Sequence, residues 1–356
     1  MTTVQWSNPV TCIRGGRLGH KRVDSETSDE PLSKCAKLSE SPGDASLLGS
    51  SPVSPVTPVH PFSLSSFPIQ QGPSRIGQFL LLPSLDRDRI HCALNVDTRD
   101  ELLCKVFDLG MYQEKIRAYS ILPLHRNIAC IQDIVLGDRL AYIFLEKDYG
   151  DMHTLVKSCK RLGEAHAAQL FHQVASAVAH CHQHGIVLGD LKLRKFVFSN
   201  EERTHVKMEG LENCRILEGE NDSASETHGC PAYVSPEILT GCSSYSGKQA
   251  DVWSLGVMLF TMLVGRYPFH DPDPATLFSK IRRGQCCLPD GLSHRVRCLL
   301  RSLLQKDPWD RLTAAEVLIH PWLTSTTQET GPSEQEVAEQ KVPSFEIEEE
   351  LNNVFC

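Results

Sequence analysis

From Asp251 to Val264 the chain is apolar on almost every face of the helix it would form, and a helix without a polar side has to be buried all round. That one segment demands a large helical core with other helices on its flanks. Glu164 to Gln183 supplies a neighbour. Its Ala167, Phe171, Val174, Val178 and Cys181 recur at the spacing of one helix face, and Gly185 follows where a helix-terminating glycine belongs. Ahead of these helices lie short β-rich runs at 79–82, 90–95, 102–107, 131–136 and 140–145. Turn residues such as Gly137-Asp138 separate them, and one short helical stretch, 110–118, interrupts them. Strands first and helices second predict an α+β chain in two lobes: a small β-rich lobe over about 76–147 and a larger helical lobe over about 148–323.

Both ends differ in character. Residues 1–75 hold nine of the 21 prolines and fourteen serines, a composition that buries too little surface to offset chain entropy, so disorder is expected there. Four Ser/Thr-Pro steps (Ser41-Pro42, Ser51-Pro52, Ser54-Pro55 and Thr57-Pro58) suit either proline-directed phosphorylation or a plain solvated linker. Residues 324–356 carry eight glutamates against Lys341 alone, which accounts for most of the net charge of −8. The nearly neutral remainder gives no argument for nucleic-acid binding. Neither a run of about 18 apolar residues nor a signal peptide is expected. The 14 cysteines are scattered without C-x-x-C spacing, which points to a reducing compartment and to small apolar core residues rather than staples. Lys21-Arg22 with Lys34 and Lys37 resembles a weak split nuclear signal, and the expected location is cytoplasm and nucleus.

Five segments, in order, resemble protein-kinase motifs. Leu103-Cys104-Lys105-Val106 is similar to V-A-I-K, and Leu188-Gly189-Asp190-Leu191-Lys192 to H-R-D-L-K. Ser235-Pro236-Glu237 is similar to A-P-E, and Asp251-Val252-Trp253-Ser254-Leu255-Gly256 to D-x-W-S-x-G. Arg311-Leu312-Thr313 with His320-Pro321-Trp322 resembles the end of the helical lobe. Each is weak alone, but the ordered set implies a bilobal protein-kinase-like fold. In such folds Glu237 and Arg311 form a structural ion pair.

The residues needed for chemistry diverge. Phosphoryl transfer rests on positioning and on metal ions that bridge the phosphates. The Asn that should follow Asp190 by five positions is Lys195, a cation where a cation must bind. The D-F-G position reads Gly210-Leu211-Glu212, with no carboxylate at its first residue. Each missing metal would withdraw on the order of several kcal/mol of transition-state stabilisation. The phosphate-covering loop, Leu85-Asp86-Arg87-Asp88-Arg89-Ile90, has no glycine. Gly189, Asp190, Lys195, Gly210, Leu211 and Glu212 are therefore degenerate positions. No catalytic residue, no metal and no cofactor are expected, with ATP binding weak or absent. Lys105 is either a phosphate contact or a relic in an empty cleft. Glu114, at the position of its helix partner, lies only nine residues on, which implies a truncated or bent helix before His125.

Further segments resemble the Tribbles family of pseudokinases over about residues 76–323: Tyr149-Gly150-Asp151-Met152-His153, Ala179-His180-Cys181-His182, the run from Leu188 to Phe196, the run from Gly229 to Glu237, and Ser279-Lys280-Ile281-Arg282-Arg283-Gly284. The resemblance implies a monomeric scaffold that recruits transcription factors of the CCAAT-enhancer-binding class to a ubiquitin ligase of the constitutive-photomorphogenic type. Glu339, Gln340, Val342 and Pro343 match the family's ligase-binding tail motif. Ile319, His320, Pro321 and Trp322 match its contact for MAP kinase kinases, although kinases also use His-Pro-Trp simply as packing. Two other functions stay open: a weak, metal-independent nucleotide-binding kinase, and a ligase-independent inhibitor of a kinase partner.

Overall fold

The computed structural model describes residues 73–83, 89–225, 230–241 and 243–326, together with the strand Ile13–Arg14. The expected disordered extensions lie outside the described residues, apart from that strand and the few residues at their inner ends. So do the Ser/Thr-Pro steps and the tail motif. The chain divides into two units, one of residues 1–110 with 131–145 and the other of 111–130 with 146–356.

The first unit is a seven-stranded sheet. Its strands are β1 (Ile13–Arg14), β2 (Ser74–Ile76), β3 (Phe79–Leu81), β4 (Ile90–Asn95), β5 (Glu101–Asp108), β6 (Ile131–Leu136) and β7 (Leu140–Glu146), in the spatial order β1-β6-β7-β5-β4-β3-β2. All pairs with a defined register are antiparallel except β1, which lies parallel to β6 with Ile13 opposite Val135. Alternation along the strands sends Phe79, Leu81, Cys104, Val106 and Phe144 into one core. There the rings of Phe79 and Phe144 stack at 3.7 Å.

The second unit starts with α1 (Tyr112–Ile121), which begins two residues later than the sequence suggests and groups with the helices rather than the sheet. It continues through α2 (Met152–Cys159), α3 (Glu164–Gln183), β8 (Ile186–Val187), β9 (Phe196–Phe198), β10 (Val206–Met208), β11 (Arg215–Ile216), β12 (Ser223–Ala224) and β13 (Tyr245–Ser246). Then come α4 (Gly247–Val264), α5 (Pro274–Arg283), α6 (His294–Leu303), α7 (Ala314–Leu318) and α8 (Pro321–Thr326). Helix α4 is the buried axis that its composition demands, closed at its start by Ser246, whose hydroxyl accepts from Gln249 N at 3.2 Å. Gly256 lets α6 approach it, since a Cβ there would stand 2.8–2.9 Å from Leu303 and Leu304. Each large apolar side chain sealed in this core contributes about 1.5–3 kcal/mol. Among the described residues no helix is long and apolar enough to cross a membrane.

Candidate functional site

The site positions in the second unit are set by Asp251 of α4, whose side chain is 1% exposed. Its carboxylate accepts from Leu188 N at 2.8 Å, Gly189 N at 2.9 Å and His182 Nε2 at 2.9 Å. Three donors on one buried carboxylate fix the turn that presents Asp190. Asp190 in turn accepts from Lys192 Nζ at 2.6 Å.

The chain then makes a short 3-10 turn, Leu193–Lys195, and the β9–β10 hairpin brings it back to Gly210. Here the two degenerate positions meet: Lys195 Nζ donates to the Gly210 carbonyl at 3.0 Å and lies 4.0 Å from Asp190 Oδ2. Burial lowers the Lys195 pKa, against the opposing pull of Asp190 and Glu212. Gly210 has φ 81°, a left-handed conformation that glycine takes without strain.

Helix α1 closes over this turn. The Tyr119 hydroxyl accepts from both Gly210 N and Leu211 N at 3.1 Å and donates to Glu212 Oε1 at 3.4 Å. Burial, followed by the charge of Glu212, holds the phenol pKa well above its usual value. One turn earlier, Lys115 Nζ donates to Asn213 Oδ1 at 2.9 Å. Neither Tyr119 nor Lys115 stands out in the sequence, because each meets its partner more than 90 residues away. Glu114 is on the exposed side of the same helix, whereas Lys105 lies on β5 of the first unit, opposite Ile90. Of the glycine-free loop, Leu85, Asp86, Arg87 and Asp88 lie outside the described residues, while Arg89 pairs with Asp108 at 3.0 Å.

The segment after Gly210, polar with Gly219, Asp222, Ser223 and Ser225, is partly tied down. Strand β11 pairs with β8, and β12 pairs with β13. Asp222 accepts from Ser246 Oγ at 2.5 Å and Lys248 N at 3.0 Å, so its charge sits at the N-terminus of α4. Residues 226–229 of the segment are outside the described set. Beyond it, Arg311 donates to both carboxylate oxygens of Glu237 at 2.7 Å. Among the residues of the His-Pro-Trp segment, Ile319 is 73% exposed, but Trp322 is 4% exposed and donates its indole N–H to Glu164 at 3.2 Å. A cavity of about 350 Å³ opens between α2 and the end of α4, lined by His153, Lys157, Arg266, Tyr267 and His270 among others. Among the described residues no cluster of His, Cys, Asp or Glu could hold a metal ion.

A sheet unit, a helical unit built round a buried axis, and an Asp251-clamped turn preceding the Glu237–Arg311 pair define a protein kinase domain, and residues 105–323 match the family model of that description. Within that class the resemblance is narrower. The chain is 53% identical over 339 residues to Tribbles homolog 1 of Homo sapiens, covering 94% of this chain and 91% of that one. It is 50% identical over 351 residues to Tribbles homolog 2 of Canis lupus familiaris, covering 98% of each. With Tribbles homolog 3 of Mus musculus it shares 50% identity over 272 residues, 76% of this chain and 77% of that one. The chain belongs to the Tribbles family.

Proposed function

We propose that this chain is a catalytically inactive kinase-fold adaptor that brings transcription factors of the CCAAT-enhancer-binding class to a constitutive-photomorphogenic-type ubiquitin ligase and modulates MAP kinase signalling through MAP kinase kinases. The observation that carries the inactive half is the contact between Lys195 Nζ and the Gly210 carbonyl. A magnesium ion needs oxygen ligands at those two positions. Here one has no side chain and the other is an ammonium, so the residues do not fit the metal ions that kinase chemistry requires. No resident cofactor is assigned, and ATP binding is weak or absent.

The recruiting half is supported by the cavity beside α2. Lys157 and Arg266 set two cationic side chains at a mainly apolar lining, which suits a peptide segment with both apolar and acidic residues. The tail residues Glu339, Gln340, Val342 and Pro343 are assigned to the ligase, and the chain to cytoplasm and nucleus, where such factors and ligases meet.

The test is phosphotransfer. Purified full-length protein should label neither itself nor a peptide from magnesium and ATP. The double variant Lys195→Asn, Gly210→Asp should stay inactive, because the glycine-free loop at 85–90 is unchanged. Robust magnesium-dependent turnover by the unaltered protein overturns the reading.

A further inference from the structure

Five histidines surround the turn that follows α1. His125 lies within it, His172 and His180 come from α3, His184 caps the C-terminus of α3, and His205 comes from the β9–β10 connection. Three of them form a continuous row of ring contacts, His125 stacked on His180 at 27° and His184 tilted against His180 at 46°. The rings of His125 and His180 are 4.6 Å apart and those of His180 and His184 are 4.4 Å apart. Neutral imidazoles stack well at this distance; charged ones repel.

The hydrogen bonds say where protons already sit. His180 Nε2 donates to the Pro123 carbonyl at 3.0 Å, His184 Nδ1 to the His180 carbonyl at 2.8 Å, and His205 Nε2 to the Arg126 carbonyl at 3.0 Å. Those bonds survive a second proton. His125 differs, because its Nδ1 accepts from Asn127 N at 3.2 Å, while its Nε2 faces Ser176 Oγ at 3.2 Å. A proton on Nδ1 turns that acceptor into a donor aimed at a donor.

Asn127 is what the turn hangs from. It is 2% exposed. Its amide donates to the Val206 carbonyl at 2.8 Å and to Gln173 at 3.0 Å, and its carbonyl accepts from Met208 N at 2.7 Å. The turn leads directly back to α1 and thus to Tyr119.

We propose that this histidine-lined turn is a proton-operated latch: acidification loosens residues 122–129 from α3 and β10, and with them the hold of α1 on the Gly210–Leu211 turn. The groups facing His125 are His180 across the stack and Arg126 beside it. Arg126 also acts on His172, and His184 faces His180. All of these are basic, so no charge among them compensates an added proton. In keeping with the geometry, burial and then these neighbours lower the pKa of His125, and burial followed by His184 lowers that of His180 despite the Pro123 carbonyl. A depressed histidine pKa gives its full stabilisation above the unfolded value of about 6.5, and the closed turn loses ground as pH falls below it.

The test is amide hydrogen exchange on the full chain between pH 7.5 and 5.5, corrected for intrinsic rates, against a His125→Asn variant. Asparagine keeps an acceptor where Nδ1 stands and does not titrate. In the unaltered protein, protection over 112–129 should fall roughly tenfold with a midpoint below about 6.5, while α4 keeps its protection. The variant should show no such fall. Equal protection across the range, a parallel fall in the variant, or simultaneous loss in α4 overturns the latch. If His125→Asn fails to fold, histidine-selective carbon-13 NMR of the unaltered protein decides. The His125 midpoint must then coincide with the exchange midpoint, and a separation between them overturns the proposal.

Discussion

Arg311 places every guanidinium nitrogen on an acceptor. Nη1 and Nη2 take the two oxygens of Glu237, Nε takes the Gln305 carbonyl, and Nη1 also reaches the Gln249 carbonyl. Its side chain is 0% exposed, and the group lies 5.1 Å over the ring of Trp253. A lysine offers neither the planar fork nor the stacking face. Arg311→Lys is therefore expected to destabilise nearly as much as Arg311→Ala. Each should cost about 3–5 kcal/mol by stranding the Glu237 carboxylate, read as a lowered midpoint in urea unfolding. A midpoint within error of the unaltered protein would remove the pair from the list of what holds this fold. At the same scale, counting from Asp190 locates Lys195 and Gly210 without any structure, because motif spacing along a chain is rigid information. Tyr119 is invisible to such counting. Its partners are 91 and 92 residues away, and nothing local marks a half-buried tyrosine on a short helix as their acceptor. Tyr119→Phe would leave two backbone N–H groups without that acceptor, at a cost of about 1–3 kcal/mol, and should raise exchange at Gly210 and Leu211 before any global unfolding.

Elements with strong periodicity were legible almost to the residue. Helix α3 spans Glu164–Gln183, the range its apolar spacing marks, and all five of its spacing residues are buried. Helix α1 was shifted because its start carries no side-chain cap and only Tyr112 and Ala118 are buried in it, so its sequence gives little pattern to read. The polar segment after Gly210 hid its structure for another reason: its strands are two residues long, shorter than any period-2 signal. What orders it is Asp222 reaching across to Ser246 and Lys248. Asp222→Ala removes a charge from the α4 N-terminus, where a cap contributes about 0.5–2 kcal/mol. The expected result is faster hydrogen exchange across 215–225 with α4 itself unchanged. Unchanged exchange would show that the β12–β13 pairing stands without the Asp222 contact.

At the scale of the whole molecule the question, under the proposed function, is how a domain that transfers no phosphate would act on a partner. The proposed adaptor would need two contacts on one chain, and charge would separate them. The cavity beside α2 has the cations Lys157 and Arg266 at its lining, whereas residues 324–356 carry eight glutamates and one lysine. From Thr326 to Glu339 a fully extended chain spans at most about 45 Å, the reach available to the proposed ligase motif. Val342 and Pro343 offer apolar anchors, and proline lowers the entropy lost when an extended peptide binds. In the proposed complex the surrounding glutamates would add attraction to a basic ligase surface, fading as salt rises. Under the proposed function, in which the two contacts are separate, the Val342→Ala, Pro343→Ala double variant should lose ligase recovery in a pull-down while still binding an acidic degron peptide. Deleting 324–356 should do the same, and raising salt should weaken the unaltered complex. If the double variant recovers the ligase as well as the unaltered protein does, the motif is misassigned. If the deleted chain still blocks its kinase partner in cells, that inhibition runs without the ligase, and the domain alone is the active part.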